Sequence, residues 1–442
     1  MSIGILAYGA YLPAHRLGAD SGVRGTRVVA SFDEDATTMA VEAARGLPAA
    51  GSVWWASTSP PYLDKTNAAA VHAALRLPSS VPAADLVGSA RSTFAGLRAA
   101  LATGGLVVAA DVRVGRPGSL DERSGGDGAA ALLLGEGEAI AEVLGSAGET
   151  HELLDRWRDP HRTTGEQWEE RFGFEQYAEL VRAVASRLLD EAGLAEADHV
   201  VLTSGNAGIT KRAGALVKGA LSSGGSPIGF SGAADPLLGL AAVLDVAGPG
   251  ETILVLSAVD GCDGMLLRTT DLLASRRASR PVAAQLASGR PVPYPTYLSW
   301  RGLLERELPR RPEPDRPAGP PSYRAGEWKF GFAGSRCTDC GFLHLPPLRV
   351  CRACSAVDAM ESVSVADLAG TVATFTVDRL AFSPSPPVVD VVVDFEGGGR
   401  TTLEVADADP DAVAVGTRVE LVFRRLFTAG AVHNYFWKAR VV

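Results

Sequence analysis

Apolar positions along this chain follow two rhythms. Up to residue 270, short continuous apolar runs alternate with longer stretches whose apolar residues recur every three or four positions. The runs at 53–57 (VWWAS), 106–112 (LVVAADV), 129–136 (AAALLLGE), 199–205 (HVVLTSG), 252–260 (TILVLSAVD) and 264–270 (GMLLRTT) predict strands. The stretches at 37–47, 67–77, 174–193, 210–221 and 235–247 predict helices. Strands without polar alternation, separated by helices, predict an α/β fold whose mostly parallel sheet is covered on both faces.

The two halves of this region echo each other. LVVAAD followed by GGDGAAALLLGE corresponds to ILVLSAVD followed by GCDGMLLRT, which predicts a duplicated unit. In the first half, DLVGSARSTFAGLRAAL (85–101) reads as strand, tight turn of small residues, and buried helix. That arrangement presents a nucleophile at a helix N-terminus in many α/β enzymes. Here the turn holds Gly88, Ser89, Ala90 and Arg91, and no thiol.

Beyond the helical stretch 296–308, residues 309–321 (PRRPEPDRPAGPP) are nearly half proline and predict a linker. After it the pattern alternates with period two. GTVATFTVDRL, VVDVVVDF-EGGG-RTTLEVAD, TRVELVFRRL and VHNYFWKARVV predict about five strands closing as a small barrel of the OB type, with EGGG as a hairpin. The expected domains are 1–308, in halves of about 1–140 and 141–308, then the linker, a helix and metal ribbon over 322–360, and the barrel over 361–442.

Composition narrows the class. With 42 basic against 51 acidic residues the chain carries −9, which disfavours a nucleic-acid partner, and the barrel strands bear scattered acids instead of a basic aromatic groove. No apolar run approaches the length of a membrane span, and the first residues read as a strand, so a cytoplasmic, membrane-free protein is expected. Four of the five cysteines form CxxC-x10-CxxC: Cys337, Cys340, Cys351 and Cys354. Two such knuckles complete a tetrahedral thiolate cage, which predicts one structural zinc without an open position; an iron site has the same ligands. His344 lies nearby and is not needed. The fifth, Cys262, reads as a small buried hydrophobe.

At this point the sequence resembles known families. Residues 322–442, through CTDCGFLHLPPLRVCRAC and GTVATFTVDRL, resemble the zinc-ribbon plus OB-fold family that accompanies thiolases and binds acyl-CoA. Residues 1–270 resemble the thiolase superfamily, nearest to archaeal 3-hydroxy-3-methylglutaryl-CoA synthases, through ATTMAVEAAR, ASTSPPYLDKTNAA, GGDGAAALLLGEG, WEERFGF and PLLGLAAVLD. The resemblance implies a duplicated five-layer α-β-α-β-α fold, acyl-CoA as substrate or ligand, and a homodimer through the thiolase-like domain. It implies that the strand LVVAADV lies at the dimer edge, and it leaves room for a separate thiolase or an acyl-CoA dehydratase or hydratase as partner.

These synthases use a glutamate, a nucleophilic cysteine, a histidine and an asparagine. The matching positions hold Thr58, Ala90, Thr203 and the neighbourhood of Gly229 and Phe230. An alanine forms no thioester, so acyl-enzyme chemistry of the synthase kind is not expected. Two readings stay open, non-covalent carbon–carbon cleavage or formation on a 3-hydroxyacyl-CoA, or a scaffold passing acyl-CoA to a partner thiolase, with a hydroxymethylglutaryl-CoA-synthase-like acyltransferase as the remaining alternative that the resemblance implies. Candidate bases are Asp127, Asp260, Asp263 and Tyr62, against the plainer reading that turn aspartates bond loop N–H groups. Arg91, at the head of the opening helix, and Lys211 and Arg212, read as opening a helix after a strand, are candidates for CoA phosphates, with Ala90 beside the acyl group.

Overall fold

The computed structural model describes residues 3–18, 27–223 and 226–442. The chain forms two compact units. The first comprises Met1–Ala30, Asp35–Ala69 and Pro78–Tyr294, the second Ser31–Glu34, Ala70–Leu77 and Pro295–Val442.

The first unit is built on ten strands: β1 (Gly4–Tyr11), β2 (Val53–Ser57), β3 (Ala83–Val87), β4 (Gly105–Asp111), β5 (Gly128–Gly135), β6 (Ala141–Thr150), β7 (Ala197–Ser204), β8 (Gly219–Ser223), β9 (Thr252–Ala258) and β10 (Gly261–Thr269). Their order is β8-β7-β9-β10-β6-β1-β5-β4-β2-β3. The halves are therefore the same sheet twice, each with two parallel and two antiparallel pairings, and they meet where Gly4 and Ile5 pair with Glu142 and Ala141. The duplication read from the sequence is a duplication of topology.

Four helices complete the layers: α1 (Ala36–Ala44), α2 (Ser92–Thr103), α3 (Glu170–Glu191) and α4 (Asp235–Leu244). Phe94 and Leu97 of α2 and Leu237, Leu238 and Leu240 of α4 share one core with strands of both halves, which makes them the inner layer. Val181, Val184 and Leu188 of α3 pack on the opposite face of the second half, with Leu202 and Leu254. Helix α1 starts sharply because Asp35 accepts the N–H groups of Thr37 and Thr38, both at 3.0 Å, while Thr38 Oγ1 accepts the Asp35 N–H.

Three expectations are corrected. The sheet is mixed and not mostly parallel: four of its nine pairings are parallel and five antiparallel, because each half returns through hairpin-like neighbours beside its crossovers. Residues 210–221 do not form one helix: Ala207–Lys211 and Ala213–Leu216 are short, and Gly219, at φ +129°, turns the chain into β8 beside β7. Lys211 thus closes a short helix, and Arg212 sits in the break. Nor does LVVAADV offer a dimer edge. It is β4, hydrogen-bonded on both sides by β2 and β5, and the free edge belongs to β3.

In the second unit, the end of the proline-rich stretch opens a helix, Gly319–Arg324, with proline in its first turn, where no amide partner is lost. A three-stranded ribbon follows: β11 (Ala333–Cys337), β12 (Leu343–His344) and β13 (Met360–Ser364). Then come β14 (Gly370–Asp378), β15 (Val388–Phe395), β16 (Arg400–Glu404), β17 (Arg418–Ala429) and β18 (Val432–Val441), ordered β16-β15-β14-β17-β18. The ring closes where Val405 bridges Ala439, and the Ala406 N–H donates to the Ala439 carbonyl at 2.7 Å. Strand β15 buries every second residue (Val389, Val391, Val393, Phe395), as the period-two pattern requires. Its hairpin needs glycine, since Gly397, Gly398 and Gly399 have φ of 81°, 100° and 81°.

This unit buries an ionic cluster. Lys438 Nζ lies 2.9 Å from Asp33 and 2.7 Å from Glu404, and Arg424 lies 3.0 Å from Glu34 and 3.2 Å from Asp407. Burial works against the Asp33 charge, but Lys438 and then Arg424 outweigh it and hold the carboxyl below its ordinary value. A depressed carboxylate adds stability that is present above its unfolded pKa and lost as pH falls through the folded one. Protection of β17 and β18 amides from hydrogen exchange is therefore expected to weaken from about pH 5 downward. Lys438→Met should lower it already at neutral pH, by about 3–5 kcal/mol. Protection flat from pH 6 to 3 would contradict this.

Candidate active site

The turn between β3 and α2 determines the site. Gly88 takes φ +109°, which lets the chain reverse sharply so that Ser89, Ala90 and Arg91 lead directly into α2. Ala90 is buried, and its N–H has no acceptor among the described residues. It lines a cavity of about 150 Å³ within the first unit, together with Thr58, Ser89, Arg113, Asp155, Arg156, Trp157, Arg158, Tyr177, Gly205, Phe230, Ala258 and Asp260. Both halves contribute. The lining contains no cysteine or histidine.

Asp111, at the end of β4, anchors one wall. Its buried carboxylate accepts hydrogen bonds from the N–H and hydroxyl of Thr58 (2.7 and 2.8 Å), from those of Ser59 (2.9 and 2.8 Å), from the Ser57 hydroxyl (2.8 Å) and from the Ala233 N–H (2.6 Å). This locks the 57–59 loop, where the resemblance put a glutamate, as a ring of hydroxyls. Arg113 Nη1 donates to Thr58 Oγ1 at 2.9 Å, and Arg158 donates to the Thr58 carbonyl.

The opposite wall carries the titratable groups. Burial raises the Asp155 carboxyl; Arg156 and the Asn206 amide oppose that, and Asp260 adds to it. Tyr177, from α3, is pushed above the ordinary phenol range by burial and then by Asp155, so it stays a neutral hydroxyl. Its oxygen accepts the Asp260 N–H at 3.3 Å, which leaves the hydroxyl proton free to donate elsewhere. Gly173 lets α3 approach here: a Cβ would lie 2.3 Å from Asp155 Oδ1 and 2.4 Å from Asn206 Nδ2.

Of the residues singled out from the sequence, Thr58, Gly88, Ser89, Ala90, Phe230 and, among the candidate bases, Asp260 alone line the cavity. Asp260, at φ +47°, accepts the Ser89 hydroxyl at 2.9 Å. Asp263 lies outside the lining, its oxygens held by Arg91 (2.6 and 3.2 Å) and by Arg98. Arg91 also donates to the Asp260 and Glu149 carbonyls, so it ties the opening turn to the second half. Asp127 is buried with its oxygens on the Ala30 and Arg113 N–H groups, both at 2.8 Å. Tyr62 sits in a half-buried loop fixed through Asn67, outside the lining. Lys211 is exposed beside Glu170, and Arg212 lies over the Phe174 ring. Thr203 donates to the Leu256 carbonyl inside the sheet, and burial raises the Cys262 thiol, leaving it unreactive.

Sequence reasoning missed Asp111, Arg113, Asp155, Arg156, Arg158 and Tyr177. The one available signal was DRWRD at 155–159, where charges and tryptophan alternate in neither a helical nor a strand rhythm.

In the second unit the four ribbon thiols lie within 4.8 Å of one another, with Sγ pairs at 3.6 Å (Cys337–Cys354) and 3.5 Å (Cys340–Cys351). A tetrahedral ion with bonds of about 2.3 Å asks for sulfur separations of about 3.8 Å, so the cage fits zinc. Both knuckles close the same way: Gly341 N–H on the Cys337 carbonyl and Ser355 N–H on the Cys351 carbonyl.

Two family models match the second unit: the ChsH2 rubredoxin-like zinc ribbon domain over residues 331–361 and the ChsH2 C-terminal OB-fold domain over 363–424. The hydroxymethylglutaryl-CoA synthase of Archaeoglobus fulgidus is 31% identical over 345 residues, 69% of this chain and 99% of that protein. That of Aeropyrum pernix is 30% identical over 346 residues, 69% of this chain and 95% of that protein. Among solved structures, an HMG-CoA synthase complexed with CoA superposes with TM-score 0.61 at 16% identity, covering 72% of this chain and 95% of that one. The 3-oxoacyl-(acyl carrier protein) synthase III of Pseudomonas aeruginosa superposes with TM-score 0.53 at 20% identity, covering 61% and 98%. These two share the thiolase-like fold.

Proposed function

The chain belongs to the hydroxymethylglutaryl-CoA synthase family, and from that premise we propose that it acts on an acyl-CoA by carbon–carbon cleavage or formation without an acyl-enzyme. The observation that carries this reading is the cavity wall itself: Ala90 occupies the turn where a nucleophile would stand, and neither thiol nor imidazole lines the space around it.

What remains there suits a retro-aldol reaction on a 3-hydroxyacyl-CoA. Asp155 takes the 3-hydroxyl proton, the C2–C3 bond breaks, and C3–O becomes a carbonyl. The electron pair passes to C2 as a thioester enolate, and protonation at C2 releases the shorter acyl-CoA. The Ala90 N–H, at the head of α2, is a donor for the enolate oxygen, and the neutral Tyr177 hydroxyl is a donor for the departing carbonyl. The thiolate cage leaves zinc no open position, so its part is to hold the ribbon. We propose further that two copies pair through the free edge of β3, where Val87 is exposed.

The test is direct. Incubated with acetyl-CoA or acetoacetyl-CoA, the protein should keep its intact mass, while 3-hydroxyacyl-CoA substrates yield a shorter acyl-CoA and a carbonyl compound. A stable acyl adduct would overturn the non-covalent reading. Binding without turnover of any 3-hydroxyacyl-CoA would favour the scaffold.

A further inference from the structure

Two carboxylates line the cavity, Asp155 and Asp260, and carbon–carbon cleavage uses only the first. Asp260 is nevertheless held with care. It takes φ +47°, a left-handed conformation that costs a side-chain-bearing residue free energy and that clusters at reacting sites. Its backbone is pinned on both sides: the N–H donates to the Tyr177 hydroxyl oxygen at 3.3 Å, and the carbonyl accepts Arg91 Nη1 at 2.8 Å. Glycine has to follow, because at φ +126° a Cβ on Gly261 would run into the Glu149 carbonyl. The carboxylate is oriented as well. Ser89 donates its hydroxyl to Oδ2 at 2.9 Å, while Oδ1 has no hydrogen-bond partner among the described residues. Ser89 directly precedes Ala90, so a carboxylate oxygen with free lone pairs stands one hydrogen bond and one peptide away from the open Ala90 N–H.

An acceptor placed beside a polarised carbonyl suits general-base attack by water. We propose that the Ser89–Asp260 pair gives this protein a second activity, hydrolysis of acyl-CoA thioesters without a 3-hydroxyl, which offer Asp155 nothing to deprotonate. Asp260 Oδ1 takes a proton from water, and the water oxygen bonds to the carbonyl carbon. Negative charge gathers on the carbonyl oxygen at the Ala90 N–H. The oxyanion collapses, the C–S bond breaks, and the CoA thiolate leaves and takes the proton from Asp260. The products are a free carboxylic acid and CoA, and no acyl-enzyme forms. This rests on the acyl-CoA reading above and not on its carbon–carbon step.

The whole protein, given butyryl-CoA in water labelled with heavy oxygen, tests it. Butyrate carrying one labelled oxygen should appear together with free CoA. Asp260→Asn should slow this by about 10²–10⁴-fold. Asparagine tolerates the left-handed conformation, so hydrogen-exchange protection in β5 and β9 should persist in that variant. Ser89→Ala should slow it by about tenfold, because Oδ2 loses the donor that orients the carboxylate. Binding of butyryl-CoA without hydrolysis, or hydrolysis unchanged in Asp260→Asn, overturns the proposal alone. An acyl adduct on Ser89 would overturn the water-activating role. If butyryl-CoA does not bind, the acyl-CoA reading fails with it.

Discussion

Stripping the metal from the ribbon, or replacing Cys351 by serine, is expected to unfold residues 331–364 and abolish zinc binding. The reason is scale. Three short strands, one of them only Leu343–His344, bury too little to stay folded alone, whereas structural zinc contributes about 10–16 kcal/mol in small domains. Burial opposes charge on Cys351, but the Cys354 N–H, then His344 and the Ala353 N–H, bring its thiol down to about 5. The neighbouring Cys340 and Cys351 sulfurs push the Cys354 thiol up, the crowding of sulfurs that a cation relieves. The pure protein should contain one zinc per chain. Hydrogen exchange in β11 and β13 should rise to the rate of open chain after chelation, while β5 and β9 of the first unit stay protected. Retained protection in the ribbon without metal would refute this.

The ribbon was legible because its chemistry is local: four cysteines at fixed spacing define a cage whatever surrounds it. The strands of the duplicated sheet were legible for a similar reason, since runs such as VWWAS and TILVLSA are buried on both faces and permit little else. The hairpin at Gly397–Gly399 was read from glycine alone. The error at 210–221 has a physical origin, because its alanines and leucines suit a helix, and only Gly219 and the vacant place beside β7 make the last part a strand.

The active site was legible only by subtraction. Ala90 was found because a nucleophile was missing from a recognisable turn. Asp155 and Tyr177 come together because α3 crosses the second half at Gly173, a tertiary approach with no local pattern. Asp263 looked equivalent to Asp260 in sequence, both in the one loop VDGCDG. What separates them is partners, since Asp263 faces Arg91 and Arg98 while Asp260 turns into the cavity on a left-handed residue.

That distinction makes Asp155 the residue whose loss should matter most to chemistry. Asp155→Asn preserves size and polarity but removes the proton acceptor, so carbon–carbon cleavage is expected to fall by about 10²–10⁴ with acyl-CoA affinity little changed. The unaltered enzyme should show a matching pH profile. Burial raises the Asp155 carboxyl, opposed by Arg156 and Asn206, and a base works only when deprotonated. The rate should therefore rise with pH through an apparent pKa above the usual carboxylate value of about 3.9, and collapse below it. In Asp155→Asn that inflection should vanish, a change no purely structural role would produce. Asp260→Asn is the control: it shares the cavity and adds to the upward shift of Asp155, so its removal should move the inflection to lower pH and keep turnover. If Asp260→Asn abolishes the reaction while Asp155→Asn keeps both rate and inflection, the roles are reversed and Asp260 is the base.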